Sequence, residues 1–198
     1  SEGMVLLKNE NALPLENIKT IALLGITSYG FISGGTGSGD VNEAYTISLE
    51  EGLRNVGFSI NKTAKNIYET HKAAHPEEFV KSEGLEAAFD ISLPPEMTFT
   101  AEQLDAIVAA SEVGVLTIGR NAGEGGDRVE VNDFLLSTLE KKMISDASKA
   151  FQSDGKKLIV VLNVGGVIET ASWKDHPDAI LLAWQGGQEG GNSAADLL

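Results

Sequence analysis

In residues 119 to 128, GRNAGEGGDR, one glutamate, Glu124, has glycine on both sides, with Arg120, Asp127 and Arg128 close by. They follow a short apolar run, VGVLTIG at 113 to 119. Glycines around a carboxylate are poor core material but bring backbone close to a ligand, and a carboxyl group so presented can give or take a proton. On residue chemistry alone, Glu124 reads first as a solvated loop carboxylate paired with Arg120 or Arg128, the usual fate of a loop glutamate. Acid–base cleavage of a glycosidic bond would need a second carboxylate. Asp127 is too close in sequence and has arginine neighbours, and Glu189 lies on another loop.

A second glycine loop, SGGTGSGD at 33 to 40, raises phosphate binding as a rival chemistry. No lysine follows these glycines as a P-loop requires, and a dinucleotide fingerprint would have to start directly after the strand. Here the strand ends eight or nine residues too early. Successive glycine N–H groups can still line a concave donor surface for sugar hydroxyls or anions, with Gly37 and the Ser38 hydroxyl as the contacts. The plain alternative is a turn-rich loop. A third pattern, HKAAH at 71 to 75, puts two imidazoles one helical turn apart. The zincin form needs a glutamate after the first histidine and a third ligand; Lys72 holds that place, so the pair reads as an exposed helix face and no metal is assigned.

Positioning these loops falls to short apolar runs at 20–25, 57–60, 113–119, 157–163 and 179–184. Between them, 46–56, 101–111 and 134–151 repeat apolar residues at spacings of three and four, the mark of amphipathic helices. Alternating strands and helices, with strands apolar throughout, predict a three-layer α/β/α sandwich around a mostly parallel sheet of about five to six strands. In such sheets ligands bind beyond the carboxyl ends of the strands, so the glycine loops starting at Gly25, Gly119, Asn163 and Trp184 are expected at one common edge. The segment from about Asn61 to Pro95 reads as helical with an irregular tail and is assigned no chemistry. The opening residues look like the end of a helix running into an extended segment, and 189–198 like a helix stopped before its C-cap, so residues 1–198 read as one domain excised from a longer chain.

With 198 residues and 42% hydrophobic content, the chain can bury a substantial core. Its 15 basic and 29 acidic residues give a net charge of −14, which argues against nucleic acid as a partner. No apolar run is long enough to cross a bilayer, so no membrane partner is expected. The absence of cysteine excludes disulfides and thiol nucleophiles while suiting either cytoplasm or a periplasmic or secreted location.

Five blocks carry a family resemblance: GMVLLKNENALPL at 3–15, GGTGSGDVN at 34–42 with YTISLEEGLRN at 45–55, GRNAGEGGDR at 119–128, KKLIVVLNVGGVIETASW at 156–173 and LLAWQGGQEGG at 181–191. In this order they resemble the C-terminal α/β-sandwich domain of family 3 glycoside hydrolases over essentially the whole chain. The resemblance implies a retaining β-glycosidase, a β-glucosidase, acting on a β-linked glucoside or related oligosaccharide without metal or organic cofactor. It implies a split site: an aspartate nucleophile on the protein's own barrel domain, absent here, and Glu124 as general acid/base. Gly37 and Ser38 would border the sugar, while Asp127 and Arg128 would position the loop through an ion pair. Trp173 and Trp184 are expected to fill core or domain-interface space. The rival reading from another class is a non-catalytic sugar- or anion-binding α/β module.

Overall fold

A computed structural model describes residues 1–39, 41–80, 90–124 and 127–198. Asp40, residues 81–89, Gly125 and Gly126 lie outside the described residues, and with them fall part of the 33–40 loop, part of the Glu124 loop and much of the irregular tail before Pro95.

Among the described residues six strands form one sheet: β1 (Val5–Asn9), β2 (Thr20–Leu24), β3 (Ser59–Asn61), β4 (Val113–Arg120), β5 (Lys157–Val164) and β6 (Ala179–Leu182). Their spatial order is β1-β6-β5-β4-β2-β3. All neighbours are parallel except β1 and β6, which pair antiparallel from Val5 opposite Leu182 to Asn9 opposite Ala179, with a register shift between Leu6 and Lys8. Every residue of β4 is buried, and so is all of β5 after Lys157, because both strands are covered on both faces, as near-continuous apolar runs require.

The pleat divides these runs between two cores. Leu116, Ile118, Leu158 and Val160 face a cluster with Tyr68, Ile107 and Phe151. Val113, Val115, Ile159 and Val161 face the other way, onto Leu49, Leu53 and Ala194. Three helices, α2 (Lys62–Ala74), α3 (Ala101–Ala109) and α4 (Thr138–Ser153), supply the first cluster; α1 (Leu49–Asn55) and α5 (Gly190–Ala195) supply the second. The result is the expected three-layer sandwich with a six-stranded sheet. Burying each large core side chain contributes about 1.5–3 kcal/mol; Trp173 and Phe151 are among the fully buried ones.

Caps set the helix limits more tightly than periodicity does. Ser48 with Glu51, Thr100 with Gln103 and Ser137 with Glu140 form reciprocal capping boxes, each satisfying donors that a helix start leaves unpaired. Helix α4 therefore begins at Thr138 rather than at Phe134, where the apolar pattern starts. The expected strand at 57–60 is displaced to Ser59–Asn61. Gly57, at φ +105, ends α1, with Gly57 N–H donating to Arg54 O and Phe58 N–H to Leu53 O, the paired bonds of a Schellman stop. Instead of a helix end, the opening residues make a turn, Met4 N–H to Ser1 O, that leads into β1.

Candidate active site

The loops after β2, β4, β5 and β6 meet at one edge of the sheet, held by a few directional contacts. Asn163, fully buried at the end of β5, accepts from Ile32 N–H at 2.6 Å and donates to Ile32 O at 3.0 Å and to Trp184 O at 2.8 Å. One amide side chain thus ties the loops after β2 and β6 to the central strand. Gly187 N–H donates to Ser33 O at 2.9 Å, and Gln185 Nε2 reaches Asn121 Oδ1 at 3.2 Å.

Between these contacts the loop after β2 lies against the loop after β4. Thr36 N–H donates to Ala122 O at 2.7 Å, and Gly123 approaches Thr36 so closely that a Cβ there would sit 2.0 Å from Oγ1. A short turn at Gly37–Gly39 then lifts Ser38 to the surface. Its hydroxyl donates to Glu124 Oε1. Gly37 has φ +74, and a Cβ there would lie 3.0 Å from both Cγ and Oε2 of Glu124. Glycine is required here twice over, for the left-handed backbone and for the room its missing side chain leaves beside the carboxylate. Glu124, Ser38 and Gly37 therefore converge on one exposed spot.

The arginines near Glu124 in sequence are engaged elsewhere. Arg120 is buried, and its guanidinium grips Glu140 in a fork, Nη1–Oε1 at 2.6 Å and Nη2–Oε2 at 2.8 Å, with Nε donating to Asp133 O. Since Glu140 is also the capping-box residue of α4, this pair joins the end of β4 to the start of the helix. Arg128 pairs with Asp133, whose other oxygen accepts from Val129 N–H at 3.0 Å. The expected ion pair between Asp127 and Arg128 is not made: Asp127 Oδ1 instead accepts the Arg128 backbone N–H at 2.8 Å, because Asp133 turns back into the loop and takes the guanidinium. Glu124 has no cationic partner among the described residues, which removes the surface salt bridge as its explanation.

Glu189 sits exposed before α5, accepting from the Tyr45 hydroxyl at 2.6 Å and from Asn192 Nδ2 at 2.5 Å. The Tyr45 bond, followed by that from Asn192, holds its carboxyl below the ordinary value, the wrong direction for a proton donor. Trp173 is buried in the core as expected, and half-buried Trp184 packs on the same cluster with Nε1 donating to Gly3 O.

Three functional-looking residues escape sequence reasoning. Asp133 and Glu140 are two; the Ser137-x-x-Glu140 capping signature was the signal available for the second. The third is Glu96, next to the paired prolines. Its carboxylate accepts Ile26 N–H at 2.8 Å and Met97 N–H at 3.0 Å beneath the loop after β2. Burial pushes that carboxyl up to about 7 against the pull of these bonds, with Glu140 adding to the rise.

Comparison with known proteins agrees with this layout. Beta-glucosidase A of Butyrivibrio fibrisolvens is 34% identical over 218 residues, which take in 100% of this chain and 26% of that protein. The beta-glucosidase of Ruminococcus albus is 29% identical, again over 100% of this chain and 20% of its own length. Among solved structures, beta-glucosidase 3B from Thermotoga neapolitana in complex with glucose superposes with a TM-score of 0.90 at 40% identity, covering 100% of this chain and 27% of that one. The chain thus spans about a quarter of the length of these relatives. The profile described as "Glycosyl hydrolase family 3 C-terminal domain" matches residues 4–198, and with sequence, topology and profile in agreement, the chain belongs to that family.

Proposed function

We propose that the full-length protein is a retaining β-glucosidase, that Glu124 is its general acid/base and that the Gly37–Ser38 turn borders its sugar pocket. The observation that carries this reading is the meeting of Ser38 and Glu124, residues from two loops, at the exposed carboxyl-end edge of the sheet. A carboxylate free of arginines, held by a neutral hydroxyl and open to solvent, can exchange a proton with a bound glycoside. The names of the relatives point to the same substrate class.

In the proposed reaction an aspartate of the protein's barrel domain attacks the anomeric carbon, and the bond to the leaving oxygen breaks as Glu124 gives that oxygen its proton. Glu124, now ionised, takes a proton from water. The hydroxide so formed displaces the aspartate from the anomeric carbon and releases the sugar with retained configuration. Ser38 holds the Glu124 carboxylate while its lone pairs stay available to a sugar hydroxyl. The reading is tested by assaying natural β-glucosides beside a panel of nitrophenyl glycosides on the full-length protein with and without Glu124→Ala. Loss confined to other residues, with Glu124→Ala fully active on natural glucosides, would sink it.

A further inference from the structure

The exposed end of α2 carries a cluster that the glycosidase reading does not use. His71 and His75 lie one turn apart, His75 N–H bonding His71 O at 2.9 Å, and their rings stand 4.7 Å apart. Pro76 then opens a short 3-10 turn, Pro76–Phe79, that folds Glu77 and Glu78 back toward both rings. Glu78 Oε2 lies 2.9 Å from His71 Nε2, and Glu77 Oε1 lies 3.4 Å from His75 Nδ1. The ligand atoms of His75, Glu77 and Glu78 all fall within 4.8 Å of one another.

We propose that His71, His75, Glu77 and Glu78 form a four-ligand site for a divalent transition metal such as zinc. A tetrahedral zinc with bonds near 2.0–2.1 Å needs donors about 3.3 Å apart. The two imidazole–carboxylate spacings, 2.9 Å for His71 with Glu78 and 3.4 Å for His75 with Glu77, bracket that value, and His71 joins the other three donors through Glu78. Two imidazoles and two carboxylates suit zinc, cobalt or nickel better than calcium or magnesium, which prefer oxygen alone. The electrostatics agree: among the described residues no lysine or arginine pairs with Glu77 or Glu78, since Lys72 lies over the Phe79 ring instead, 5.7 Å from its centre. A net charge of −14 also favours a cation.

Four protein ligands leave no open position for chemistry, so the metal would be structural. It would clamp the 76–79 turn onto α2. Lys72, Glu78 and Phe79 line a cavity of about 620 Å³ that also touches Gly34, Gly35 and Thr36, so the clamp would stiffen one wall of the space beside the sugar loop.

The experiment titrates cobalt, then zinc, into chelator-treated full-length protein and compares wild type with His71→Ala/His75→Ala and with Glu77→Gln/Glu78→Gln. Expected are the intense visible absorption of four-coordinate cobalt, displaced by zinc, absent in the histidine variant and weakened about tenfold or more in the glutamine variant. Wild-type affinity in the glutamine variant would mean that the histidine pair captures metal by itself and would overturn the four-ligand site. Equal binding by all three proteins would place the metal elsewhere and overturn it too. Hydrolysis of an aryl glucoside by the metal-free variants, unchanged from wild type, reports that they fold and leaves this test independent of Glu124.

Discussion

The Ser38 hydroxyl donates to the Glu124 carboxylate across 86 residues of sequence, and Gly37 beside it leaves the room that the carboxylate occupies. The glycine-rich loop is thus more than a wall of the proposed pocket: it holds the residue proposed to move the proton. In the full-length enzyme Ser38→Ala should lower kcat/KM by about two- to tenfold, the worth of one hydrogen bond at roughly 0.5–1.5 kcal/mol. The unfolding midpoint should not move. Unaltered kcat/KM on every glycoside tested would reduce Ser38 to scaffold.

Glu124→Ala should separate the two chemical steps. Natural glucosides, with poor leaving groups, should be slowed severely, whereas activated aryl glucosides should lose far less in the first step because their leaving oxygen hardly needs a proton. The second step would still lack its base, so stopped-flow should show a burst of aryl alcohol, and added azide should discharge the intermediate as the β-glycosyl azide. Equal slowing of both substrate classes, without burst or azide rescue, would point to another acid.

The isolated chain of 198 residues should hydrolyse nothing. Half of a carboxylate pair cannot both attack and protonate. Turnover of nitrophenyl β-glucoside by the purified chain, free of host enzyme, would contradict a site split between domains.

Breaking the pair between Arg120 and Glu140 should cost stability rather than chemistry. Both partners are nearly buried, and removing one leaves the other charge desolvated, a loss of about 3–5 kcal/mol. Glu140→Ala also removes the reciprocal cap of α4. Denaturant unfolding of the variant in the full-length enzyme should show this domain's transition at clearly lower concentration; a shift no larger than that of an exposed glutamate-to-alanine control would contradict the burial argument.

Glu96 should make stability depend on pH. Its carboxyl is raised from 4.5 to about 7 in the folded protein, so between those values the folded state holds a proton that the unfolded chain has released. Stability should therefore fall as pH rises through this window, by on the order of 3 kcal/mol once the folded group has ionised. Tyr68 faces the same group and stays protonated across this range, pushed well above its ordinary value by burial. Glu96→Gln, which cannot ionise, should flatten the dependence of the unfolding midpoint from about pH 4.5 to about pH 7. An unchanged slope would assign the effect to other groups.

The apolar runs of β2, β4, β5 and β6, the helical spacings between them and the glycine loops behind them were legible in the sequence, because a strand buried on both faces and an amphipathic helix each write their environment into adjacent residues. The glycines on either side of Glu124 marked its loop locally as well, though by residue chemistry alone that carboxylate read as the partner of an arginine. The pairing of β1 was not: Val5, Leu6 and Leu7 remain about half exposed at the sheet edge, and their partner strand lies at the far end of the chain. Nor did the sequence say which acid each arginine takes. Arg120 has Asp127 seven residues away but binds Glu140, and Arg128 has Asp127 beside it but binds Asp133. Ion pairing follows distance and desolvation in space, and only the packing of α4 against the end of β4 brings those groups together. Glu96 makes the same point from within a segment of no visible pattern, since a carboxyl's proton affinity belongs to the walls folded around it and not to its neighbours along the chain.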